Sequence, residues 1–108
     1  MIKNQKSEIM MIKPLFVPLY KQWFEKFESG EKTIEYRKYG PRWNEQVCTI
    51  GRPVILSCGY GKKRRLYGVV TAFTRIEDIA EIRIKLLLRS DYERLLRRLK
   101  HSSLGKNK

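Results

Sequence analysis

Residues 30–37, Gly30-Glu31-Lys32-Thr33-Ile34-Glu35-Tyr36-Arg37, constrain the fold of this chain more than any other stretch. A backbone-permissive glycine is followed there by a lysine, a carboxylate and an arginine inside what otherwise reads as a half-buried strand. Upstream, Tyr20, Trp23, Phe24 and Phe27 recur at helical spacing and predict a short amphipathic helix with an aromatic core face. Gly30 then reads as its C-cap, because glycine takes the left-handed conformation that ends helices. Beyond it, alternation places Thr33, Glu35 and Arg37 on one face of a strand and Ile34 and Tyr36 on the other. Lys32 and Glu35 stand three positions apart, so an unbroken strand would separate them. They meet only if Lys32 still lies in the turn after Gly30, or if a bulge re-aims one of them.

At 108 residues the chain has room for one domain, spanning 1–108. Hydrophobic residues at 42% and charged residues at 32% suit a folded, water-soluble domain with a core. No apolar run nears the roughly 20 residues that span a bilayer, and no signal-peptide pattern opens the chain, so no membrane partner and a cytoplasmic address are expected. The 24 Lys and Arg against 11 acidic residues leave a net charge of +13. Such a field concentrates polyanions and favours counterion release, which makes nucleic acid the leading partner. The plainer alternative is charge that only maintains solubility.

Cys48 and Cys58 lack Cys-x-x-Cys spacing, and His101 is the single histidine, so no metal site and no cofactor are expected. Any catalysis then falls to lysine, glutamate, arginine, threonine or tyrosine.

Along the chain, 1–8 and 102–108 read as polar, flexible ends. A first strand is expected over Met10–Leu19, a turn-rich loop over Lys38–Gln46, and strands over Arg52–Tyr60 and Arg65–Arg75. The hairpin between the last two carries four consecutive cations, Lys62, Lys63, Arg64 and Arg65. Val69–Phe73 is apolar enough for a central strand. Ile76–Leu88 carries both helical and alternating patterns, and its state is left open. Ser90-Asp91-Tyr92-Glu93 matches a capping box ahead of a two-faced helix with Tyr92, Leu95, Leu96 and Leu99 on one stripe and Arg94, Arg97, Arg98 and His101 on another.

Written G-x-K-x-x-E-x-R, with Gly30, Lys32, Glu35 and Arg37 in the fixed places, the opening stretch resembles the signature of the ASCH domain, a relative of the PUA fold. Pro18-Leu19 and the aromatic helix are similar to that family too, and the likeness runs from about Leu15 to Ile76. It implies an α+β domain: a small PUA-like β-barrel of about five to six strands with two or three flanking helices, and a cleft assigned to RNA binding. Some members are ribonucleases or act as amidohydrolases on acetylated cytidine. The family returns a final strand after the last helix, which 102–108 does not supply. Either Ile82–Leu86 fills that place or one edge stays open, and an open edge invites a homodimer.

The cleft residues are then Lys32, Glu35 and Arg37, with Trp43 as a stacking platform and Lys62, Lys63, Arg64 and Arg65 as a phosphate-gripping rim. RNA is the expected ligand, with DNA an alternative. An enzyme built on the same cleft would use Lys32 and Glu35, most simply as a ribonuclease in which Glu35 takes a proton from a 2′-hydroxyl. The acetylcytidine activity is disfavoured because Glu35 occupies the family's threonine position. A regulatory protein-interaction domain is the third reading. Against all three stands an ordinary solvated ion pair, worth roughly 0–1 kcal/mol.

Overall fold

The computed structural model describes residues 13–106. Five strands and two helices follow one another as β1 (Leu15–Leu19), α1 (Lys21–Ser29), β2 (Ile34–Lys38), β3 (Pro53–Cys58), β4 (Arg65–Ile76), β5 (Ile79–Leu86) and α2 (Arg89–Lys106). The strands form one sheet in the order β1-β3-β4-β5-β2, with β1 parallel to β3 and the other ladders antiparallel. The class is α+β, and the sheet curls as a half-barrel flanked by both helices.

β1 buries Leu15, Val17 and Leu19 by strict alternation and leaves Phe16 and Tyr20 outside. Opposite them, Val54 and Leu56 of β3, Val70 of β4, and Ile82 and Ile84 of β5 complete the sheet side of the core. Phe24 and Phe27 of α1 close it. At nine residues α1 is too short to persist alone, so these two rings, each contributing about 1.5–3 kcal/mol when buried, hold it in place. The other face of the sheet carries Tyr67, on which Tyr92 of α2 stacks at a centroid distance of 4.9 Å.

The ambiguous segment resolves as strand: Ala80, Ile82 and Ile84 are buried in alternation, and β5 pairs with β4 on one side and β2 on the other. Both expectations for the barrel therefore hold at once. β5 joins the sheet, and the edges β1 and β2 remain unpaired with each other. A register shift between Val70 and Ala72 leaves Thr71 as an extra residue that helps β4 bend.

Three local expectations need correction. The helix starts at Arg89, one residue ahead of the expected cap, and Glu93 pairs with Arg89 at 3.3 Å instead of closing a capping box. That helix also continues to Lys106, through most of the segment expected as a flexible tail. Tyr20, at the N-cap of α1, and Trp23 within it are exposed, not core. The flexible start expected over 1–8 lies outside the described residues. No helix among the described residues is long and apolar enough to cross a membrane.

Candidate nucleotide cleft

Gly30 takes φ +87° and donates its N–H to the carbonyl of Phe27, ending α1 as expected. Lys32 still belongs to that turn, because its N–H donates to the carbonyl of Lys26 at 3.0 Å and β2 begins only at Ile34. The turn carries the Lys32 side chain to the Glu35 face without a bulge. Lys32 Nζ lies 3.5 Å from Glu35 Oε1, and Arg37 Nε donates to Glu35 Oε2 at 2.7 Å. The three charged groups of the motif thus meet at one carboxylate.

Glu35 is only 7% exposed. A carboxylate so far from water needs partners on both oxygens, and a cation on each supplies them. This is a different object from a solvated surface pair. Each cation is itself seated on aromatic rings. Lys32 Nζ sits 5.6 Å from the ring centroid of Trp23, 5.5 Å from Phe27 and 5.1 Å from Tyr36. The Arg37 guanidinium stacks 4.6 Å from the ring of Trp43. Such cation–π contacts contribute about 0.5–2 kcal/mol each and fix direction as well as charge.

Arg37 does more than pair with Glu35. Its Nη2 donates to the carbonyl of Pro18 at 2.6 Å, so one side chain of the β2 edge grips the β1 edge. At this seam lies a hollow of about 410 Å³ whose wall includes Tyr20, Trp23, Glu35, Tyr36, Arg37 and Tyr60 as well as Pro18. A second hollow of about 390 Å³, bounded by Trp23, Lys32, Glu35 and Tyr36, shares three of its residues. Both volumes fall within the roughly 300–1,000 Å³ of small-molecule sites. The seam combines a charged floor with exposed aromatic walls.

The remaining expected site residues are distributed differently. Trp43 is half-buried against the core behind Arg37 and does not line the hollow; it backs the guanidinium instead of offering a free ring. Arg64 is engaged by Glu25 at 3.4 Å and Glu28 at 3.1 Å, which tethers the β3–β4 hairpin to α1. Arg65 lies over the Phe16 ring at 5.5 Å. Lys62 and Lys63 are exposed at the tip, outside the cleft wall, although Gly59 and Tyr60 from the same hairpin belong to it. Trp23 and Tyr20 are the wall residues that spacing misassigned. A tight helix entry at Tyr20, with the Trp23 and Phe24 N–H groups on its carbonyl, turns residues 20 and 23 towards the seam.

Elsewhere, the loop between β2 and β3 is held by Asn44, whose Oδ1 accepts from the N–H groups of Gln46 and Val47. Tyr39 donates to Glu45, which raises the phenol pKa and lowers that of the carboxyl. Both cysteines are free, and burial pushes the Cys48 thiol up. Among the described residues no three His, Cys, Asp or Glu side chains gather as a metal site. No family model matches this chain, and no curated protein matches it.

Proposed function

We propose that this chain is an RNA-binding domain of the ASCH type, which holds one nucleotide in the seam between β1 and β2. The observation that carries this reading is the convergence of Lys32 and Arg37 on the Glu35 carboxylate, which lies in the wall shared by two hollows with exposed aromatic sides, Arg37 lining one and Lys32 the other. Arg37 is bonded through Nε and Nη2, and among the described residues Nη1 has no partner, which leaves a donor for a phosphate or a base carbonyl. A carboxylate has about four acceptor positions, so Glu35 retains capacity for the amino edge of a base while bound to both cations. Trp23, Tyr36 and Tyr20 offer π-faces at which stacking contributes about 1–3 kcal/mol per base. The charge of +13 draws the polyanion.

Binding is favoured over cleavage by the state of Glu35. A ribonuclease of the expected kind needs that carboxylate free to receive a proton, whereas here each oxygen faces a cation. Glu35 serves as the centre that positions Lys32 and Arg37.

Titration of single-stranded RNA at a series of salt concentrations tests the reading. The expected result is a linear fall of log K with log salt, about 0.7 per neutralised phosphate for single strands, and weaker binding by Lys32→Ala and Glu35→Ala. Affinity that ignores both salt and these substitutions would overturn it. Labelled RNA incubated with protein in chelator is expected to stay intact; cleavage abolished by Glu35→Ala would restore the enzyme.

A further inference from the structure

The cleft does not end the aromatic surface. Phe16, Pro18 and Tyr20 follow one another on the outward side of β1, and Tyr60, 83% exposed, folds over that side so that its ring centroid lies 6.3 Å from Phe16. Pro18, Tyr20 and Tyr60 also wall the cleft, so a strip of rings leads out of it without a break. The Arg65 guanidinium sits over Phe16, and Lys62 and Lys63 follow Tyr60 in the same hairpin. Large flat side chains left in water side by side, on an edge strand, mark a surface that something covers. The surrounding cations specify an anionic occupant, and the rings specify one with flat faces.

We propose that this strip is a second nucleotide site, which takes the base next to the one held in the cleft. That base stacks on Phe16 and Tyr60, and the phosphate between the two nucleotides lies against Arg65 and the hairpin lysines. The ligand is therefore single-stranded RNA of at least two nucleotides, because paired bases in a duplex hide the faces that these rings need. This second site presupposes the nucleotide in the cleft and adds the direction in which the strand leaves it, along β1 towards Phe16.

Phe16 lies outside the cleft wall, so its replacement separates the two sites. Affinities are measured by fluorescence titration for wild type and Phe16→Leu, using ribonucleoside monophosphates, a single-stranded oligoribonucleotide of about five nucleotides, and the matching duplex. Phe16→Leu keeps an apolar strand residue and removes the π-face. The oligonucleotide is expected to bind about 5- to 100-fold more weakly to Phe16→Leu, with Phe16→Trp restoring it, while monophosphate binding stays within about twofold. An oligonucleotide affinity that Phe16→Leu leaves unchanged would overturn the second site alone, as would a duplex bound as tightly as the single strand. Wild type that binds neither monophosphates nor oligonucleotide would remove the cleft reading and this one with it.

Discussion

Arg37 and Pro18, nineteen residues apart, are joined by a 2.6 Å hydrogen bond from guanidinium to carbonyl. The bond spans the one place where neighbouring sheet edges share no ladder, and it does so beside the buried carboxylate of Glu35. Fold and site are consequently coupled through a single side chain.

Arg37→Ala removes the strap and leaves Glu35 buried with only Lys32. We expect a loss of about 2–4 kcal/mol, since breaking a buried pair strands a charge. Urea denaturation measures it. Arg37→Lys retains the charge but lacks the planar fork, and it should recover less than half of the loss.

Lys32→Ala should separate stability from binding. Its ion pair is longer, at 3.5 Å, and its remaining contacts are with rings, so folding should weaken by about 2 kcal/mol, towards the lower end of the loss expected for Arg37→Ala. RNA affinity should fall about tenfold or more. A urea midpoint no lower than that of Arg37→Ala, alongside well-separated binding curves for Lys32→Ala and wild type, would bear this out.

Gly68 tests the sheet independently of the site. A Cβ built there would stand 2.5 Å from the backbone oxygen of Lys85 and 3.1 Å from Ile84 Cγ2, so β4 and β5 must part. Gly68→Ala is expected to destabilise by about 2 kcal/mol or more, read from thermal or urea unfolding.

Tyr92 governs the alkaline limit. The residue is 3% exposed, its Oη has no partner among the described residues, and burial pushes its pKa up to about 12. The folded phenol stays neutral while the unfolded one ionises near its ordinary value of 10.0, so this contribution is complete below that pH and is lost as pH rises towards about 12. Ultraviolet titration should show Tyr92 ionising at about 12, besides the upward shift that the bond to Glu45 gives Tyr39. Tyr92→Phe should remove the component at about 12, reduce the loss of stability at high pH, and stabilise at neutral pH by up to about 1 kcal/mol, because an unbonded buried hydroxyl is eliminated.

How far the sequence discloses this molecule depends on the range of the forces involved. The Gly30 cap is local and legible in the spacing, and so is the choice of turn or bulge at Lys32, which the bond from its N–H to the Lys26 carbonyl decides for the turn. The state of Ile79–Leu86 is not, because its two periodicities are settled by ladders to β4 and β2, a choice made across the chain. Trp23 shows a different limit. Helical spacing groups it with Phe24 and Phe27, yet a nine-residue helix on a curved sheet buries two rings and leaves the third, 39% exposed, over the seam. Trp43 and Arg64 look free in sequence because their partners, Arg37 and the Glu25–Glu28 pair, are fixed only by packing.

The bridge from β2 to the Pro18 carbonyl has one last implication. Nη2 carries two N–H groups and the Pro18 carbonyl takes one, so an anion in the hollow can accept the other, or one from Nη1, while β1 stays fastened. Such a ligand meets a guanidinium already held still, so little of its binding energy is spent on ordering that side chain.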